Sequence, residues 1–75
     1  MNATVTPING RDRAVLRAVA AGRAEFPRIG GGLVVDGLNL SDQFTGLRLT
    51  TAGFIVDRPG PAALTPTGVA VLAAA

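Results

Sequence analysis

"LTTAGFIVDRPGPAALTPTG", residues 49–68, decides how the chain folds. Gly53 follows a helical stretch and is its natural stop, because glycine enters the left-handed conformation that closes helices at little cost. "FIVD" (54–57) and "AALT" (62–65) are strand-like. The "RPGP" between them is a turn whose prolines must lie off the hydrogen-bonded ladder. Thr65-Pro66 then supplies a helix cap and a proline at the first helical position, where a missing N–H costs nothing. The segment therefore predicts a small hairpin held between two helices.

Upstream, "NLSDQFTGLRLTTAG" (39–53) predicts the helix that Gly53 closes. Asn39 or Ser41 is its cap, and Asp42 suits the positive end of the helix dipole. Helical spacing groups Leu40, Phe44, Leu47 and Thr51 on an inward face and turns Asp42, Gln43, Gly46, Leu49 and Thr50 outward. Before it, "LVV" (33–35) predicts a brief strand ending in an Asp36-Gly37 turn. The glycines of "PRIGGG" (27–32) predict a bend or hinge; a phosphate-cradling loop would need Lys-Ser/Thr next, and "LVVDG" follows instead. "RDRAVLRAVAAGRAEF" (11–26) predicts the first helix, capped by Thr6 or Asn9 and closed by Gly22 and Pro27. Val15, Leu16, Val19 and Ala20 share its apolar face, with Arg13 and Arg17 on another. Residues 1–6 are expected to be a flexible tail, and 7–75 a single domain.

Seventy-five residues without a cysteine or a histidine make a marginal core with no disulfide or thiolate–imidazole metal site to support it. Apolar residues are 48% of the chain and charged residues 16%, so charge cannot cover the surface and some apolar area is expected to meet a partner. No apolar run approaches the ~20 residues that span a bilayer, and no secretory leader is evident. A cytoplasmic protein without membrane contact is the expectation. All seven basic residues are arginine, whose planar fork suits phosphate, although the net charge is only +2. The acids Asp12, Glu25, Asp36, Asp42 and Asp57 are scattered, and Ser41 is the only serine, with no base to activate it. Neither an enzyme nor a metal or cofactor protein is expected.

Over residues 40–72 the chain resembles the winged-helix family of DNA-binding domains. Leu49, Ala52, Gly53, Phe54 and Ile55 resemble that family's helix-to-strand junction, and Leu64, Thr65 and Gly68 its return from the wing into a helix. The resemblance implies a compact α+β domain in the order helix, short strand, helix, two-stranded wing hairpin, C-terminal helix. It implies double-stranded DNA as partner, a bacterial or phage transcriptional regulator as function, and a homodimer through the C-terminal helix. Carried onto this chain, the DNA-binding candidates are Arg58 at the wing tip, Arg11, Arg13 and Arg17 on the first helix, and Gln43 and Arg48 on the second. The chain departs from the pattern by placing only "DGLNLS" between the short strand and that helix. Its 42–50 face offers one glutamine, an aspartate and a leucine, which suits a protein surface as well as a DNA groove. A protein-interaction module is accordingly the alternative.

Overall fold

The computed structural model describes residues 8–28, 32–39 and 44–74. The expected tail, the Thr6 cap, and Leu40, Ser41, Asp42 and Gln43 lie outside the described residues. Helix α1 (Gly10–Ala20) starts at Asn9 with a reciprocal capping box: Asp12 N–H donates to Asn9 Oδ1 at 2.8 Å, and Asn9 N–H to Asp12 Oδ2 at 3.2 Å. It stops earlier than the sequence predicts. Gly22 takes a φ of 79°, letting its own N–H reach the Val19 carbonyl and that of Arg23 reach Ala18. This paired closure consumes the orphan carbonyls of the last turn. Ala24, Glu25 and Phe26, expected to be helical, are released as strand β1 (Ala24–Phe26).

Strands β2 (Val34–Val35) and β3 (Leu38–Asn39) form a tight hairpin. Its turn is Asp36-Gly37 with φ values of 54° and 79°, the left-handed pair whose twist matches that of the flanking strands. The turn is the expected one; the returning strand is not, and Asn39 is a ladder residue rather than a helix cap. Helix α2 (Phe44–Thr51) then ends as α1 does, with Gly53 N–H on the Thr50 carbonyl and Phe54 N–H on Leu49. Leu49 and Phe54, bracketing this closure, are both buried.

The hairpin after Gly53 forms only at its base. Ile55 bridges Leu64, Val56 N–H donates to the Ala63 carbonyl, and Thr65 N–H to that of Phe54. Beyond this, Pro59 and Pro61 have no N–H to continue the pairing. The returning limb instead bonds sideways: β4 (Gly60–Pro61) pairs antiparallel with β1, and Ala62 N–H donates to the Ala24 carbonyl. With Ala62 turned toward β1, strand alternation points the Pro61 nitrogen away from it, so the missing donor leaves that ladder intact. The sheet order is β3-β2-β1-β4. Helix α3 (Pro66–Ala73) opens as expected, with Thr65 Oγ1 accepting from Gly68 N–H.

The described residues thus form a small α+β domain of three helices and a four-stranded antiparallel sheet. Three strands rather than one separate the first two helices, so the element order differs from the one the resemblance implies. The core gathers Val15, Leu16 and Val19 of α1, Ala24, Leu33, Leu49, Phe54, Ile55 and Ala62. Ala18 is buried and Ala20 exposed, the reverse of the expectation for Ala20.

Helix α2 faces opposite to its expected side. Leu49 has no exposed surface, whereas Phe44 and Leu47 are 71% and 61% exposed, and Thr51 is exposed too. Close approach explains the inversion: a Cβ at Gly46 would lie 2.9 Å from Leu33 Cβ, so the helix packs through its smallest residue. Buried Thr45 sits beside it. The same logic orients α3. Gly68 meets the Phe54 carbonyl, and Val71 and Leu72, three and four residues on, become half-buried, while Val69 is 55% exposed.

Candidate binding surface

The seven arginines separate into those whose guanidinium is engaged and those that stand clear. Arg48 projects from α2 onto α1, where its Nη1 donates to Asp12 Oδ2 at 2.9 Å and its Nη2 to Oδ1 at 2.6 Å. The fork geometry matches a carboxylate with two parallel bonds. Only 2% of the Asp12 side chain meets solvent, against 42% of Arg48. The Asp12 carboxyl is held below the ordinary aspartate range, first by the Arg48 hydrogen bonds. Burial opposes that shift, and the Asn9 N–H and the charges of Arg48 and Arg11 add to it. Asp12 therefore closes the α1 cap and clamps α2 against α1. Its spacing after Asn9 is the legible signal, since a capping box places an acid at the third helical position.

Arg13 is committed as well. Its Nη1 donates to the carbonyls of Leu72 and Ala74 at 3.1 Å each, satisfying acceptors at the end of α3 that have no intrahelical donor. Arg23 pairs with Asp36 at 2.7 Å across the sheet, both half-exposed. Of the sequence-derived candidates, Arg48 and Arg13 thus serve tertiary contacts, and Gln43 lies outside the described residues. Arg11, Arg17 and Arg58 are exposed, with no hydrogen bond or ion pair among the described residues. Arg58 and Asp57 are neighbours without an ion pair. Arg28, which sequence reasoning passes over inside a glycine-rich loop, is exposed in the same way.

A second surface lies on the outward side of α2. Phe44, Leu47, Arg48, Thr51 and Ala52 line an open groove of about 460 Å³. The residue expected to lead a protein contact there, Leu49, is in the core, and Phe44 and Leu47 occupy the exposed side in its place.

No helix among the described residues is long and apolar enough to cross a membrane. No protein-family model, curated protein or solved structure matches the chain.

Proposed function

We propose that the chain is a small winged-helix-like DNA-binding domain, a bacterial or phage transcriptional regulator that holds duplex DNA through arginine–phosphate contacts. The observation that carries this reading is the segment 54–65. It leaves α2 at Gly53, runs out to an exposed Arg58 with no ion-pair partner among the described residues, and returns bonded on both sides, to Ile55 through Leu64 and to β1 through Gly60 and Ala62. A limb anchored on two flanks presents its tip at a fixed position, which a groove or backbone contact requires. Arg11 and Arg17 add two exposed cations on α1. The exposed side of α2 offers Phe44, Leu47 and Thr51, which can touch a thymine methyl but give no bidentate base contact. Affinity is therefore electrostatic and weakly sequence-selective.

The test is a fluorescence anisotropy titration with generic duplex DNA at several salt concentrations. Binding at low salt, falling log-linearly as salt rises, supports the reading. No binding at low salt sinks it, and the protein-interaction reading takes its place. That second reading rests on Phe44 and Leu47, 71% and 61% exposed beside an apolar groove. It predicts an association insensitive to salt and abolished by Leu47→Asp. In either case α3 is the proposed contact between two copies, because it carries no charged residue and exposes Val69.

A further inference from the structure

Arg28 stands at the same end of the sheet as Arg58. The last bonded pair between β1 and β4 is Phe26↔Gly60, and the strands are antiparallel. Two residues forward from Phe26 is Arg28, and two residues back from Gly60 is Arg58. Gly60, with a φ of 100°, turns the chain out of the ladder at that point, so both arginines stand beyond the last sheet hydrogen bonds. Both are exposed, and neither has an ion-pair partner among the described residues. Like charges brought to neighbouring strand ends repel, and the other pairings in the domain show what relief looks like: Arg23 has Asp36, and Arg48 has Asp12. Asp57, the exposed acid at this end of the sheet, makes no ion pair with either arginine.

We propose that Arg28 and Arg58 together form a two-pronged site for a phosphodiester group of the DNA backbone, with Arg28 as the second prong. The inference rests on the DNA-binding reading but assigns a residue from a different segment of the chain. Two guanidinium forks from neighbouring strands address the non-bridging oxygens of one phosphate or of two consecutive ones. The bound anion removes the repulsion between them. Because Arg28 follows β1 and Arg58 precedes β4, the antiparallel β1–β4 pairing brings the two to one end of the sheet, so the site exists only in the folded domain.

The experiment measures duplex affinity against salt for the wild type, Arg28→Ala, Arg58→Ala, the double variant, Arg28→Lys, and Arg23→Ala as a charge-matched control. Deleting one arginine–phosphate interaction lowers the magnitude of the log K against log salt slope by about one. The expected result is a fall of about one for each single alanine variant and about two for the double. Arg28→Lys keeps the slope, and Arg23→Ala, already neutralised by Asp36, leaves it unchanged. Without DNA, Arg28→Ala should leave the thermal midpoint unchanged or slightly raised, since it removes a repulsion. Wild-type binding with an unaltered slope in Arg28→Ala overturns this inference and leaves the DNA reading standing. An absence of wild-type binding at low salt overturns both.

Discussion

Replacing Arg48 with alanine strips the partner from a carboxylate that water barely reaches. Breaking a fully buried pair by removing one member costs about 3–5 kcal/mol, chiefly because the other charge is left uncompensated. Arg48 is itself 42% exposed, so solvent screens part of the attraction, and Asn9 N–H still reaches Asp12. About 2–3 kcal/mol is the expected destabilisation. In a domain of this size that lowers the thermal midpoint by roughly 10–20 °C. The origin of the cost is separable from a simple packing defect. In an Arg48→Ala background, Asp12→Asn removes the stranded charge while keeping the acceptor for Asn9, so the double variant should be more stable than Arg48→Ala alone. Acidity gives an independent check. In the wild type the folded carboxyl titrates below the unfolded one, so its stabilising contribution is present above the unfolded value, near pH 4, and is lost as pH falls through the folded value. In Arg48→Ala the buried acid titrates higher when folded, and protonation relieves it. The stability gap between the two proteins should widen as pH rises from about 3 to 6, measured by urea unfolding at each pH. A pH-independent gap, or a double variant no better than Arg48→Ala, would refute the buried-charge argument.

Gly68→Ala would press a Cβ into the Phe54 carbonyl, a backbone group that cannot rotate away. It should cost about 3 kcal/mol or more, visible as a lowered urea midpoint, whereas Thr67→Ala at the exposed neighbour should be nearly neutral. Phe54→Ala, emptying a site only 4% exposed, should lose about 3–5 kcal/mol, and Leu64→Ala at its half-buried neighbour about 2 kcal/mol. If both variants melt like wild type, the hairpin base is not packed as described. Val69→Asp puts a charge on a helix that has none. Sedimentation equilibrium should show it monomeric at concentrations where wild type associates, and a monomeric wild type refutes the α3 contact.

Much of the architecture is readable wherever backbone chemistry is local. Gly53, Thr65-Pro66 and Asp36-Gly37 each admit few conformations, and each takes the one its residues imply. Two kinds of information are not local. One is which face of a helix is small enough to approach another element. Apolar spacing favours Phe44 and Leu47 as inward, but the close approach at Gly46 turns α2 over, and no periodicity reports the position of Leu33. The other is competition between two closures. Gly22 and Pro27 are both available to end α1, and the earlier one prevails because its glycine satisfies two carbonyls, freeing β1 to form. The candidate site follows the same division. Arg58 at the tip is legible from the turn, whereas the burial of Asp12, the use of Arg48 and Arg13, and the placement of Arg28 depend on pairings distant in sequence.

Those distant pairings bear on the order in which the molecule can assemble. Arg13 of α1 bonds carbonyls 59 and 61 residues later, and Asp12 waits for Arg48, 36 residues on. Among the described strand pairings, the β2–β3 hairpin, with its two-residue turn, closes the shortest loop, on a timescale of about 1–10 μs. A growing chain that has reached β3 holds Val15, Leu16 and Val19 without the Leu49, Phe54 and Ile55 that cover them, and a carboxylate without its guanidinium. Such a fragment has little to gain from ordering α1. Folding should therefore be all-or-none and set by long-loop closure, with the first helix, though made first, among the last elements to become protected against hydrogen exchange.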